Sequence, residues 1–188
     1  LNDPATTELY ARSLPDALPI SANALLRPGC TPVIGRTRAE AEGQLAELDA
    51  MIDPVISVPM LSDYIGTDLS AYDNDGPFPD IPETATNKSR SVIGVIKGMA
   101  ERDNLNIRQI ATRVASSMNH NRVIGTAEDI ADKMQLWFEN EACDGFLISP
   151  LIYPDGLKQF AEQVIPILQD RKLFRREYEG STLRQNLG

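Results

Sequence analysis

At 188 residues, with 42% hydrophobic and 24% charged residues, the chain has the composition of a globular protein and the length for one core. Its 27 acidic residues outweigh 18 Lys and Arg, a net charge of -9 that opposes nucleic-acid phosphates and anionic membranes, and no basic run interleaved with aromatics offsets it. No apolar stretch nears the ~20 residues that span a bilayer, and one histidine with two distant cysteines, Cys30 and Cys143, starves a zinc site, so no metal is expected.

Residues 1–24 carry no sustained period, and Ser13–Ser21, with Pro15 and Pro19, resembles the translated remnant of a sequencing adapter. Residues 1–24 are set apart from residues 25–188, and Leu1–Ser21 is expected to pack poorly and add little to stability. Leu25-Leu26 and Thr31–Ile34 read as a short buried strand interrupted by Pro28-Gly29 and ended by Gly35. Thr37 followed by Glu40 has capping-box spacing, and Ala41, Leu45, Leu48 and Ile52 predict an amphipathic helix over 38–52.

Five prolines and two glycines between 53 and 87 argue against a long helix there, leaving room for a short helical stretch near 55–65. Tyr72–Asp80 has turn chemistry, and a loop of this length suggests a lid or binding loop. Val92, Ile96 and Met99 predict a helix over 88–103; Ile107, Ile110, Ala111, Val114 and Met118 predict another over 106–118. Arg122–Gly125 reads as a strand. Thr126 and Asp129 cap a helix over 127–141 whose stripe is Ile130, Met134, Trp137 and Phe138, the last two read as core. Gly145–Ser149 is the next strand. A helix over 155–170 is expected to turn Leu157, Phe160, Ala161, Val164 and Leu168 inward, with a charged surface tail from Lys172.

Strands joined by helices imply parallel pairing. An eight-stranded barrel needs ~250 residues, so three such units suit a piece of one, with a doubly wound open sheet left as the alternative.

Three stretches carry a family likeness: Pro28–Ala41, Gly125–Lys133 running on to Cys143–Phe146, and Leu173–Arg184, the most specific of them. Together they resemble the bacterial-luciferase-like flavin-dependent monooxygenases, in the nitrilotriacetate and dibenzothiophene-sulfone monooxygenase branch, over residues 25–188. The resemblance implies the α/β C-terminal portion of a (β/α)8 TIM barrel, about strands six to eight, with a helical insertion before strand seven. It implies a cytoplasmic, homo-oligomeric oxygenase component. A separate NADH-dependent reductase supplies reduced FMN, and one oxygen atom of O2 enters a small organic substrate. The family's first five strands are missing from the match, so the chain is expected to be inactive alone. Two other readings stay open: a deazaflavin-dependent oxidoreductase of the same superfamily, and a helix-rich fragment without catalysis.

Five residues emerge as site candidates. His120 is the only histidine, so an imidazole acid–base role falls on it, against a solvated ring at a helix end. The resemblance, and not spacing, favours the catalytic role. Gly125 and Thr126 open a helix at a strand's C-terminal end, where a flavin phosphate or oxygen can be received, although a plain N-cap is the simpler account of Thr126. Tyr153, beyond Ser149, and Phe78, if its loop is a lid, are the candidates for contact with substrate. The carboxylates from Asp68 to Asp80 lack any regular metal-ligand spacing.

Overall fold

The computed structural model describes residues 25–82, 90–117 and 120–187, so the expectations for residues 1–24 and for Met118 lie outside it. Two compact units form, one from the chain up to Glu42 together with Asn121 onward, the other from Gly43–His120. Each has its own apolar core, where length alone suggested one.

The first unit is built on three parallel strands in the order β2-β1-β3: β1 (Gly29–Ile34), β2 (Asn121–Gly125) and β3 (Leu147–Ile148). β1 is buried along nearly its whole length, as suits a central parallel strand. Its Cys30 aligns with Asn121 and its Ile34 with Gly125, while Gly29 and Cys30 align with Leu147 and Ile148. Leu25-Leu26 is not part of the strand. Leu26 is instead pinned to the approach to β3, its N–H donating to Asp144 Oδ2 at 2.6 Å and its carbonyl accepting from the Asp144 N–H at 2.8 Å. β3 is shorter than the 145–149 predicted.

α1 (Arg38–Ala50) buries only Ala41 fully; Leu45 and Leu48 are half-buried. α5 (Ala127–Glu139) packs Ile130, Ala131, Met134 and Trp137 inward. Phe138 departs from the expected core stripe. It is 47% exposed and lines a groove at the helix's last turn.

The helix expected over 155–170 comprises α6 (Asp155–Gln159), a π-helical turn (Phe160–Val164) and α7 (Ile165–Asp170). Pro166 has no N–H to return to residue 162, and the Ile165 N–H reaches five residues back to the Phe160 carbonyl. Phe160, Val164 and Leu168, four apart, face the core, while Leu157 and Ala161 are exposed, against expectation. Arg171 ties this segment to α5 through Asp132 at 2.7 Å and Gln135 at 2.9 Å. The tail is more structured than predicted. Leu173 packs on the core, Arg175 lies over the Phe174 and Tyr178 rings, and α8 (Leu183–Leu187) follows.

Both cysteines are buried as free thiols. Burial, with the Cys143 sulfur nearby, pushes the Cys30 thiol up to about 12; burial also raises Cys143. Only the thiolate reacts, so an aromatic disulfide reagent at mild alkaline pH is expected to label neither thiol quickly in the native chain and both promptly in denaturant. Stopped-flow absorbance checks this, and fast native labelling of Cys30 would contradict the burial.

The second unit packs α2 (Pro54–Ile65), α3 (Arg90–Asp103) and α4 (Ile107–Ser117) around Leu61, Ile65, Ile93, Ile96, Ile107 and Ile110. α2 is a full helix despite its prolines. Asp53 caps it by accepting the Val55 N–H at 2.9 Å, Pro54 occupies the first turn where no N–H is needed, and Gly66 closes it at φ 71. The segment read as a lid is clamped. The Ile107 and Arg108 N–H groups donate to the Gly76 and Asn74 carbonyls, Arg108 Nε pairs with Asp75 at 2.8 Å, and Lys97 pairs with Asp80. The Arg108 guanidinium holds the Asp75 carboxyl below its usual range.

Candidate active-site edge

Because the strands are parallel, the chain leaves β1 and β2 at the same edge of the sheet, with Gly35 after one and Thr126 after the other. The Gly35 N–H donates to the Gly125 carbonyl at 3.0 Å, forming the last rung there. Both helices that follow start at this edge, and each start carries its own carboxylate. Thr126 Oγ1 accepts the Asp129 N–H at 3.2 Å and Asp129 Oδ2 accepts the Thr126 N–H at 3.0 Å, a complete capping box. Around α1 the box is only half made. Thr37 accepts the Glu40 N–H, but Glu40 turns to the Arg36 N–H and guanidinium, both at 3.0 Å. Arg38 bridges the two starts with a 3.3 Å ion pair to Asp129.

Gly125 is fixed by this arrangement. Its φ is 154, and a Cβ there would lie 2.3 Å from Asp129 Oδ2. Gly35 is equally confined, since a Cβ would sit 2.6 Å from the Ala41 backbone nitrogen. Of the expected site residues, Gly125 and Thr126 therefore stand together at the C-terminal edge. Tyr153 follows β3 in the loop before α6 and is 63% exposed.

His120 does not join them. Its N–H closes on the Ser117 carbonyl at 2.8 Å, and it directly precedes Asn121, which pairs with Cys30 at the start of β1. A strand advances ~3.3 Å per residue, so five residues put His120 roughly 16 Å from Gly125, beyond the reach of an imidazole. The catalytic expectation for His120 at this edge is thus not met by the sheet. Phe78, the other candidate for contact with substrate, is half-buried against the helical core of the second unit.

One feature the sequence did not signal is a groove of about 600 Å³ in the first unit, walled by Phe138, Phe146, Phe160, Leu168 and Phe174, with Arg27 and Arg175 at its margin. These residues are drawn from α5, the approach to β3, the π-helical turn, α7 and the tail, and no local pattern links them. Trp137 tilts against Phe146 with ring centroids 6.2 Å apart. Among the described residues, no group of three or more His, Cys, Asp or Glu could hold a metal ion, and no helix is long and apolar enough to cross a membrane.

No family model matches the chain. Curated and solved proteins do. It is similar to N-acetyl-S-(2-succino)cysteine monooxygenase of Bacillus subtilis (strain 168), 44% identical over 164 residues that cover 87% of this chain and 37% of the relative. It is also similar to nitrilotriacetate monooxygenase component A of Aminobacter aminovorans, 41% identical over 89% of this chain and 37% of the relative. A solved riboflavin lyase, described with modified FMN and riboflavin, superposes with a TM-score of 0.66 at 29% identity, over 85% of this chain and 34% of its own. The homologues of this chain are luciferase-like monooxygenases, and the match falls on the C-terminal part of that family. It spans a little over a third of the length of the curated relatives above.

Proposed function

We propose that this chain is the C-terminal part, about strands six to eight of a (β/α)8 barrel, of the oxygenase component of a two-component monooxygenase. Reduced FMN would come from an NADH-dependent reductase, with O2 and a small organic molecule as the other substrates, in the cytoplasm. The observation that carries this reading is the parallel β2-β1-β3 ladder, which sets Gly35, Gly125 and Thr126 on its C-terminal edge, in a chain 44% identical to a monooxygenase. Active sites of such barrels lie on that face.

The donor set at this edge fits a flavin's anionic oxygens. Thr126 and Asp129 satisfy each other, which leaves the Ala127 and Glu128 backbone N–H groups of the first helical turn as donors toward such an oxygen. Reduced flavin, when bound, activates O2 and delivers one oxygen atom to the substrate. The chain's own share is to hold the edge rigid through the Gly35–Gly125 rung and the Arg38–Asp129 pair, and to wall the substrate side with Tyr153. Asp129 also sets a limit. Its carboxylate already balances the positive helix end, so the backbone donors orient more than they attract.

The test uses the complete enzyme carrying these residues, supplied with FMN, NADH, a flavin reductase and O2. Oxygenated product is expected from it, and none from the 188-residue chain alone. Reduction of a deazaflavin without oxygen uptake would overturn the reading in favour of the sister branch. In the same assay, His120→Ala is expected to keep turnover and coupling within a few-fold. A fall of ~100-fold, the usual cost of losing a general acid or base, would restore a proton-transfer role that this sheet does not account for.

A further inference from the structure

We infer that the outward face of α2 is a docking surface for a second protein whose own face is apolar and flanked by Lys and Arg. α2 is apolar on two sides. Its inner side, Val58, Leu61 and Ile65, belongs to the helical core. Its outer side presents Val55 at 78% and Ile56 at 67% exposure, with Pro59 and Met60, and Met51, just ahead of the helix, is 77% exposed. Positions 55, 56, 59, 60 and 63 fall on one side of a helix of 3.6 residues per turn, so these side chains form a single ridge. A surface helix ordinarily turns polar residues outward. A continuous apolar ridge with a polar rim marks a contact surface.

The rim identifies the partner's chemistry. Asp63 lies on the same helical side, one turn beyond Pro59, and Asp53 stands at the cap; both are exposed. From Ala39 to Asn87 the sequence holds eleven of the 27 acidic residues and no Lys, Arg or His, so the remaining sixteen face all eighteen bases elsewhere. A second copy of the chain would set one acidic rim against another in a self-complementary contact, and an anionic membrane would be repelled in the same way. A protein with Lys and Arg around an apolar stripe is attracted, steered to the surface and then held by burial of the ridge.

The probe is a synthetic helical peptide with leucines along one face and lysines on both flanks; its control carries glutamates in place of the lysines. Fluorescence anisotropy on the full chain is expected to show the lysine peptide binding at least ~10-fold tighter than the control. That binding should weaken as NaCl rises from about 0.05 to about 0.5 M, because the flanking charges are solvent-screened. Val55→Ser/Ile56→Ser/Met60→Ser alters only exposed side chains. It should keep the circular dichroism spectrum and lose ~10-fold or more in affinity. Asp53→Asn, which retains capping ability, should weaken binding several-fold. Equal binding of both peptides, indifference to the triple substitution, or self-association of the full chain that the triple substitution abolishes would each overturn the inference.

Discussion

Ile130→Ala is expected to destabilise the sheet-containing unit by about 2–5 kcal/mol, the range for truncating a fully buried aliphatic side chain. Ile130 has no exposure and is enclosed by a core that includes Val123, Ala127, Met134 and Val164. The lost carbons leave a cavity between β2, α5 and the π-helical turn that the close-packed neighbours fill only in part. Trp137, the chain's single tryptophan, is buried in the same unit, so its emission follows this transition in urea. Ile110→Ala, at an equally buried site in the other core, is expected to shift the helical dichroism first and the Trp137 signal less. A single transition moved equally in both signals by both substitutions would mean the two cores unfold as one.

Gly125→Ala should cost about 2–4 kcal/mol from two sources. An alanine at φ 154 is strained by ~1–3 kcal/mol. Its Cβ would also displace the Asp129 carboxylate, breaking a cap worth ~1 kcal/mol and the ion pair with Arg38. The effects are coupled through one side chain, so adding Asp129→Ala to Gly125→Ala should cost less than the sum of the two single changes. Urea midpoints for the three variants check this. Strict additivity would mean the clash is relieved elsewhere.

How much of this was legible in the sequence depended on whether a feature is local. α5 was readable except at its last turn, since Thr126 and Asp129 cap it and Ile130, Met134 and Trp137 return every turn or two, while Phe138 turned outward. α2 was equally readable in principle: Asp53-Pro54 opens it and Gly66 closes it, but counting prolines as breakers obscured a cap followed by a first-turn proline. The π turn was not readable, because Pro166 removes a donor without saying which way the helix will rearrange. The division into two cores was hidden for a different reason. Periodicity tells which face of a helix is buried and not which partner buries it. The edge with Gly35, Gly125 and Thr126 could be read from strand direction, and the same direction removes His120 from it. The Phe138–Phe174 groove joins residues far apart in sequence and left no trace in it.

The helical unit lies between β1 and β2 in the chain, although those strands are immediate neighbours in the sheet. Pairing them closes a long loop, and contacts of such high sequence separation slow folding. The helices in that loop have a core of their own and can collapse independently, which shortens the effective span that β2 must search. The order of events is thereby biased: helices first, then the β1–β2 ladder, with β3 and the segment from α6 to α7 sealing the sheet. A nascent chain leaving the ribosome would hold β1 unpaired until Gly125 has emerged, a window in which a buried, apolar strand is open to mispairing.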